Sequence, residues 1–249
     1  MGGEMQKIAI ANRKGGVGKT TTAVHIAAAL SITDSNVLLI DTDSQGHCSR
    51  YFEVDPDYGL AEVIEGDIPA VQGVTEIWEG LSLMAGGSQL RGTSRLIARE
   101  DALKAPYMMG KALEPLEGAY DVVIIDTGPT MNELTANVLV YAAEVIVPVT
   151  MEALAISGLA DFLNEVEQYR EYTDIDVRYI VPTMYDRRVS QSKALLEQLE
   201  QRFGDRVTMP VRYSVNLSEA PGFGKTIFEY DRTGRGSVDY AKVAGLITR

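Results

Sequence analysis

Cysteine, long apolar runs and basic charge are all scarce in this chain of 249 residues. Its single cysteine, Cys48, excludes a disulfide framework and any metal site built only from cysteines of one chain. An apolar run of bilayer-spanning length and an N-terminal signal pattern are both absent, which predicts a cytoplasmic protein. The net charge of −12 argues against a constitutive, strongly basic nucleic-acid binder but leaves room for a local basic patch.

The apolar content is sufficient for one substantial core. Hydrophobic residues make up 45% of the sequence, and α/β domains of this size are common as single units. We therefore expect one domain over residues 1–249.

A glycine-rich segment near the N-terminus separates two apolar patterns. Residues 7–11 are typical of a short buried strand, and residues 20–30 carry apolar side chains at helical spacing. Glycine lets backbone N–H groups approach an anion closely, and a helix N-terminus adds unpaired donors and partial positive charge. We predict a phosphate-binding loop in which Lys19 contacts the β- and γ-phosphates and the Thr20 hydroxyl ligates Mg²⁺. The expected nucleotide contacts of this loop are Lys14, Gly15, Gly16, Val17, Gly18, Lys19, Thr20 and Thr21.

This loop departs from the ordinary phosphate-binding motif at its first position. Arg13 stands where that motif has a glycine, and an additional lysine, Lys14, follows. Residues 14–20 thereby resemble the deviant Walker A box of the ParA/MinD ATPases. The resemblance implies that Lys14 reaches the nucleotide of the partner subunit in an ATP-sandwich homodimer and acts with Lys19 in catalysis.

Two further strand patterns, residues 37–41 and 121–126, end in Asp41 and Asp126, and Asp43 follows the first. Carboxylates at the carboxyl ends of parallel strands face the crevice in which α/β sheets bind ligands. By resemblance to the family's switch segments, Asp43 positions or activates the attacking water and is a weak metal candidate, and Asp41 lies near the phosphates and Mg²⁺. Asp126 resembles a Walker B aspartate that holds Mg²⁺ through a water. Helix capping is the alternative role for all three aspartates.

The two switch segments, the first at residues 41–46 and the second opening at Asp126, also differ from the family pattern. Ser44 replaces the usual proline, and His47 replaces the usual asparagine or lysine. In the second segment, Gly128 replaces a proline. These departures predict a looser pair of switch segments.

The last third of the chain contains the expected nucleoside and DNA contacts. Residues 177–183 have a strand pattern, and the loop after this strand flanks the adenine in the family, which assigns Met184 to the base. Arg212 stands in place of a base-flanking proline, and Asn216 in place of a DNA-contacting arginine. The expected DNA contacts are Arg187, Arg188, Arg212 and Arg235.

The intervening segments carry less chemistry. Residues 50–80 are interpreted as helices and loops, and residues 81–85 as the third strand. The Gly86-Gly87 pair is expected to form a strand-to-helix turn. We expect Cys48 to be a small half-buried residue and Glu152 to be a solvated acid at a helix start, with a ribose or interface contact as the weaker alternative.

Two C-terminal blocks narrow the resemblance to the ParA/Soj partition ATPases. Residues 218–225 match the family's Ser-Glu-Ala-Pro-x-x-Gly-Lys block, and residues 230–240 match its Tyr-Asp ending. The Gly-Lys-Thr at 224–226 follows no strand pattern and is not interpreted as a second nucleotide loop. The resemblance implies an α/β fold with one doubly wound, mostly parallel sheet flanked by helices, the P-loop NTPase fold of the deviant Walker A type. No N-terminal helix-turn-helix arm is expected.

The resemblance also implies a reaction cycle. ATP and Mg²⁺ drive formation of a homodimer that binds DNA without sequence preference, and hydrolysis dissolves this dimer. A ParB-like adaptor stimulates the weak ATPase, so that a plasmid, a chromosome origin or a protein assembly is segregated or positioned. The expected location is the cytoplasm, with nucleoid association in the ATP-bound state.

Three alternatives share the fold. A MinD-like membrane ATPase needs a basic, bulky-apolar amphipathic helix, and residues 240–249 have few residues of either kind. An iron–sulfur reductase needs paired cysteines, for which Cys48 is insufficient. A metabolic P-loop enzyme such as a biotin-pathway ligase needs neither Lys14 nor the block at 218–225. The MinD-like and metabolic alternatives stay open at this point.

Overall fold

The computed structural model describes residues 5–152 and 155–247 and contains one seven-stranded sheet with helices on both faces. Residues 1–4 and 248–249 lie outside the described residues, so the predictions about the N-terminal segment and about residues 240–249 fall partly on residues that are not described. The strands are β1 (Gln6–Ile10), β2 (Val37–Asp41), β3 (Val74–Trp78), β4 (Leu81–Met84), β5 (Val122–Asp126), β6 (Glu144–Thr150) and β7 (Asp176–Thr183). The α-helices are α1 (Lys19–Ile32), α2 (His47–Tyr51), α3 (Leu60–Glu65), α4 (Leu90–Ile97), α5 (Met108–Leu113), α6 (Glu133–Tyr141), α7 (Ala155–Gln168), α8 (Ser190–Phe203), α9 (Val215–Glu219), α10 (Ile227–Tyr230) and α11 (Arg235–Ala244).

The strand order is β3-β4-β2-β5-β1-β6-β7, and every neighbouring pair is parallel except β3 with β4. The chain leaves β1 toward one edge, returns to insert β5 beside β1, and then continues toward the other edge. The loop after β1 therefore lies where the winding reverses, which is where doubly wound sheets bind ligands. This topology confirms the predicted doubly wound, mostly parallel α/β sheet.

One strand was missing from the interpretation of residues 50–80. Val74–Trp78 forms the edge strand β3, so the strand at 81–84 is the fourth and not the third. The two are joined by Glu79 and Gly80, and Gly80 has a φ of 89° that a tight turn requires. Because β3 is only partly buried along its length, its apolar pattern is weaker than that of the central strands.

The central strands are buried on both faces, which explains their uninterrupted apolar sequences. In β5, Val123 and Ile125 enter the core cluster beneath α6 and α7, whereas Val122 and Ile124 enter the cluster beneath α1 and α11. This alternation places Asp126, the next residue, at the end of a rigid strand.

Helix α1 is apolar around most of its circumference because it is covered by α11 as well as by the sheet. Its Thr22 hydroxyl hydrogen-bonds the Tyr240 hydroxyl of α11 at 3.2 Å, and both side chains are buried. Among the described residues, no helix combines the length and apolar character that crossing a membrane requires.

Candidate nucleotide site and the adjoining arginine cleft

The glycine-rich loop has the backbone shape that an anion-binding loop requires. Gly16 and Gly18 have φ angles of 73° and 88°, which side-chain-bearing residues rarely adopt, and α1 begins immediately afterwards. Two neighbouring strands, β6 and β7, hold the loop. Asn12 donates to the Pro148 carbonyl at 2.8 Å and accepts from the Lys14 N–H at 3.0 Å, while the Thr183 hydroxyl donates to the Val17 carbonyl at 2.9 Å.

Asn12 was missed by sequence reasoning, although its position between β1 and the first glycine was a usable signal. Its side chain is buried and connects the loop to β6. The loop's opening is therefore positioned by an amide that bonds β6 on one side and the Lys14 N–H on the other.

Lys19 lies inside the loop and is 7% exposed. Its ammonium donates to the Lys14 carbonyl at 3.2 Å. Burial lowers the pKa of Lys19, and the negative charges of Asp126 and Asp43 act in the opposite direction. This cation sits at the N-terminus of α1, where the helix dipole adds to its attraction for phosphate.

Asp126 is fully buried at the end of β5, and its Oδ1 has no hydrogen-bond partner among the described residues. Burial, followed by the Asp41 carboxylate, raises the pKa of Asp126, whereas Thr20 and Lys19 lower it. A buried carboxylate oxygen without a donor is costly unless a cation or a metal-bound water faces it. Asp126 and Thr20 therefore fit a Mg²⁺ ion that keeps several of its waters.

Asp41 braces the first switch segment. Its Oδ1 accepts the Asp43 N–H at 2.8 Å, and its Oδ2 accepts the Cys48 N–H at 3.0 Å. Burial raises the pKa of Asp41 to about 6, although these backbone donors oppose the shift. Asp41 thus shapes the loop that carries Asp43.

Asp43 belongs to the first switch segment and faces Gly128 of the second. Its carbonyl accepts the N–H groups of Gly46 and Gly87, each at 3.1 Å. A Cβ placed on Gly128 would lie 3.4 Å from the Asp43 carboxylate, an ordinary van der Waals contact, so Gly128 of the second segment lies beside Asp43. The Gly86-Gly87 turn connects β4 to α4 as predicted, and a Cβ on Gly86 would come within 2.7 Å of the Asp41 carbonyl.

Cys48 is fully buried, not half-buried as expected. Its thiol lies 3.7 Å from Asp126 Oδ2 and donates to it. Burial raises the pKa of this thiol, and the Asp41 and Asp126 carboxylates raise it further. The short helix α2 folds back beneath the strand ends, which explains the burial.

Lys14 points away from the loop that carries it. Its Nζ lies 2.6 Å from Glu152 Oε2 and 3.3 Å from the Thr150 hydroxyl, and its side chain is 45% exposed. This pairing lowers the pKa of Glu152. Glu152 is exposed, as expected of a solvated acid, but it also holds Lys14, a contact that the sequence pattern did not indicate. Arg13 is paired separately with Glu165 at 2.5 Å.

A pocket of about 260 Å³ opens beside the start of α1 and is the candidate nucleoside site. Gly18, Thr21, Met184, Arg212 and Ser218 are among its lining residues. The structure thus brings together residues that sequence reasoning placed at the base and at the phosphates.

The side chain of Arg212 is fixed by Asp239 of α11. The guanidinium makes bonds of 2.9 and 2.8 Å to this carboxylate, and the Arg212 N–H adds a third at 3.0 Å. A proline at this position lacks the N–H, so arginine adds a connection between the pocket and α11. Met184 has a φ of 53°, an uncommon conformation for a non-glycine residue, at the rim of the same pocket.

The four arginines expected to contact DNA line one cleft of about 460 Å³, which we call the arginine cleft: Arg187, Arg188, Arg212 and Arg235. Arg188 is paired with Asp186 at 2.7 Å, which lowers the pKa of Asp186 to about 2. Asn216 donates to Asp231 at 2.6 Å and does not line this cleft. The positive charge of the cleft therefore comes from Arg187, Arg188, Arg212 and Arg235, partly offset by Asp186 and Asp239.

The second Gly-Lys-Thr does not form a phosphate loop. Gly224 ends a short 3₁₀ helix, and Thr226 caps α10 through a reciprocal interaction with Glu229. Helix α9 and the 3₁₀ helix, not a strand, lead directly into this segment, and the absence of nucleotide binding here stays a prediction.

Comparison with known proteins agrees with this geometry. A family model described as an AAA domain matches residues 5–179. The chain is 36% identical over 250 residues to the chromosome partitioning protein ParA of Caulobacter vibrioides, covering 96% of this chain and 92% of that protein. It is 34% identical over 249 residues to the sporulation initiation inhibitor protein Soj of Bacillus subtilis, covering 95% and 96% respectively.

Among solved structures, cobyrinic acid a,c-diamide synthase from Mycobacterium smegmatis, crystallised with ADP and magnesium, is similar at a TM-score of 0.84 and 30% identity. The match covers 98% of this chain and 94% of that one. Sequence identities of 34–36% over nearly the whole chain establish family membership. The chain belongs to the ParA/Soj family of partition ATPases within the AAA-type P-loop proteins.

Proposed function

We propose that this protein is an ATPase that dimerises on ATP binding, holds DNA without sequence preference as a dimer, and segregates or positions a cargo through a ParB-like adaptor. The loop at residues 14–21 binds the phosphates of ATP, with Lys19 as their main cation. Thr20 ligates Mg²⁺, and Asp126 holds one of its waters. Magnesium would neutralise charge at the phosphates. The buried Oδ1 of Asp126, which has no hydrogen-bond partner among the described residues, supports the assignment of Asp126 to the magnesium site.

The position of Lys14 carries the dimer proposal. Its ammonium is directed away from Lys19 and Asp126, toward Thr150 and Glu152, and it is partly exposed at the surface beside the loop. An amine in this position is available to a second subunit that meets the loop face to face. Glu152 is too exposed for its pairing with Lys14 to be strong, so the exchange of Glu152 for a phosphate of the partner's ATP is favourable.

Hydrolysis is assigned to Asp43. Its carboxylate lies between the two switch segments, where it can orient a water for attack on the γ-phosphate and receive its proton. Hydrolysis then removes the phosphate that Lys14 contacts across the dimer. Because a ligand shifts an equilibrium only by its differential affinity for two states, loss of this contact returns the subunits to monomers.

The dimer is proposed to hold DNA through the arginine cleft. A single chain of net charge −12 repels DNA at long range, so the affinity of one subunit is weak. Two arginine clefts on one dimer double the number of phosphate contacts without changing either chain. DNA binding thereby becomes dependent on ATP, and nucleoid association in the cytoplasm follows.

Paired lysine variants test the nucleotide cycle. Lys19→Ala should abolish ATP binding in equilibrium dialysis. Lys14→Ala should keep ATP binding and lose the ATP-dependent dimer in light scattering, because its ammonium acts on the other subunit. An ATP-bound dimer of Lys14→Ala would contradict the cross-subunit role.

Asp43→Ala should bind ATP and remain dimeric, since the phosphate contact then persists. Turnover of ATP by this variant at the unsubstituted rate would remove Asp43 from the mechanism. The measurement is phosphate release alongside light scattering on the same samples.

DNA binding is tested by charge reversal in the arginine cleft. Arg187→Glu with Arg235→Glu should weaken ATP-dependent retardation of random duplex DNA, and the remaining binding should depend less steeply on salt. Arg202→Glu, an exposed charge on α8 outside the cleft, is the matched control. Equal retardation of all three proteins would place DNA elsewhere.

A metabolic enzyme is the second candidate, because one similar solved structure is described as a synthase. In that case ATP turnover would respond to a small-molecule acceptor and not to DNA. A ParA-type protein instead shows turnover that rises when DNA and an adaptor are both present. Phosphate release measured with and without DNA and adaptor separates the two.

A further inference from the structure

A cavity of about 380 Å³ lies between the two switch segments and helix α4, and we call it the switch cavity. One wall is formed by residues 42–45 and another by residues 128–135. Arg91 and Arg95, on successive turns of α4, form the third wall. The nucleotide cycle proposed above uses Asp43 at one end of this cavity but leaves the α4 side without a role.

The two arginines are unpaired cations on an acidic protein. Both are exposed, and neither takes part in an ion pair with any residue that the structure describes. Their four-residue spacing places them on the same face of the helix, about 5 to 6 Å apart at Cβ. Guanidinium groups in this arrangement favour carboxylates, which they bind with two parallel hydrogen bonds.

The lining of the switch cavity is mixed. Leu90, Pro129 and Leu134 give it apolar surface, and Leu90 and Leu134 are themselves buried. Uncharged polar side chains, among them Ser94 and Asn132, supply hydrogen-bonding groups. A concave site with mixed lining and two cations on one wall fits a short peptide, since side chains enter the cavity while carboxylates remain at the arginines.

The charges around the cavity disfavour a continuous phosphate backbone. Asp43 places a carboxylate inside the cavity, and Glu100 and Asp101 follow α4 on the chain. Duplex DNA carries a charge roughly every 1.7 Å along its axis and would meet these carboxylates as well as the arginines. A peptide places its few carboxylates only where Arg91 and Arg95 lie.

We propose that the switch cavity binds an acidic segment of a partner protein, with its carboxylates on Arg91 and Arg95 and an apolar side chain over Leu90 and Leu134. This inference goes beyond the proposed ATPase cycle and does not depend on it. A peptide in this cavity would contact both switch segments, so its binding would favour one position of Asp43 without the peptide entering the nucleotide site.

The test uses a fluorescein-labelled synthetic peptide in which glutamates alternate with leucines, and a second peptide with glutamine in place of each glutamate. Fluorescence anisotropy at low salt should show binding of the glutamate peptide and not of the glutamine peptide. Arg91→Glu with Arg95→Glu should weaken that binding about tenfold or more, because two attractions become repulsions.

Arg99→Glu is the matched control, since Arg99 is exposed just beyond the same helix and does not line the cavity. The affinity of this variant for the glutamate peptide should change about twofold at most, because only long-range charge is altered. Asp43→Asn should bind the glutamate peptide more tightly, as a like charge has been removed from the cavity. ADP binding and thermal unfolding, measured on each variant, separate a failed site from a failed fold or a failed ATPase.

Three results would overturn the inference. The first is equal peptide affinity in the double variant and the unsubstituted protein. The second is an equal loss in Arg99→Glu, and the third is an unchanged affinity in Asp43→Asn. If the first result is accompanied by a loss of duplex DNA retardation in the double variant, the arginines belong to a nucleic-acid surface.

Discussion

Acid should unfold this protein partly through one buried histidine. His25 lies in α1, fully buried beneath the C-terminal blocks, where its ring stacks on Tyr240 at a centroid distance of 5.0 Å. Its Nε2 accepts the Ile227 N–H at 2.9 Å, so Nδ1 carries the proton and donates to the Thr21 carbonyl at 2.6 Å. Protonation of Nε2 would make the imidazolium N–H and the Ile227 N–H two donors facing each other in a fully buried site.

The size of the effect follows from the pKa. Burial lowers the pKa of His25 from 6.5 to about 4, and Tyr51, the other titratable ring against it, stays neutral because burial raises its pKa to about 12. The folded form therefore binds a proton less readily than the unfolded chain. The stabilisation is complete above pH 6.5 and is lost as the pH falls toward about 4. The difference corresponds to about 3 kcal/mol of unfolding free energy.

Urea unfolding of His25→Gln and of the unsubstituted protein, measured from about pH 8 to about pH 4, isolates this contribution. The stability advantage of the histidine over the glutamine should shrink by about 3 kcal/mol across that range. Asp41, whose pKa burial raises to about 6, contributes the opposite slope, but it is present in both proteins and cancels. A constant difference between His25→Gln and the unsubstituted protein across this pH range would refute the reasoning.

Three further predictions concern the site. Gly86→Ala should lower the unfolding free energy by about 1 to 3 kcal/mol because its Cβ meets backbone atoms, whereas Gly92→Ala on α4, whose Cβ would make only an ordinary contact with Glu65, should raise it by about 0.5 to 1 kcal/mol. Urea unfolding measures both, and equal effects would contradict the close approach at Gly86. Cys48 should resist iodoacetamide in the folded protein and react after unfolding, and rapid labelling of folded protein would contradict its burial. Glu152→Gln should strengthen the ATP-dependent dimer by up to about fivefold because it releases Lys14 from an exposed ion pair, which contributes at most about 1 kcal/mol. Light scattering measures the dimer. A weaker dimer would mean that Glu152 itself contacts the partner subunit.

Local patterns were enough to predict the central strands and the phosphate loop. Residues 8–11 and 122–125 are apolar throughout because both faces of these strands are buried, and such runs have few alternative structures. The edge strand β3 could not be predicted in the same way. Its stability comes from pairing with β4 across the turn at Gly80, and its side chains are only partly buried.

Contacts between distant residues were beyond the reach of local patterns. Glu152 meets Lys14 only because β6 lies beside β1, and Cys48 is buried only because α2 folds beneath Asp41 and Asp126. Arg91 and Arg95 gave no signal, since exposed arginines on a short helix are ordinary until a cavity is found beside them.

The sequence by itself determined the chemistry of the loop at residues 14–21, because glycine conformation, a lysine and a hydroxyl at a helix start act within a few residues of one another. It also determined which carboxylates end the central strands. The tertiary structure decided where the long side chains go: Lys14 onto Glu152, Arg212 onto Asp239, and four arginines into one cleft. Those placements depend on strand order and helix packing, which join residues far apart in the chain, and no local pattern contains them.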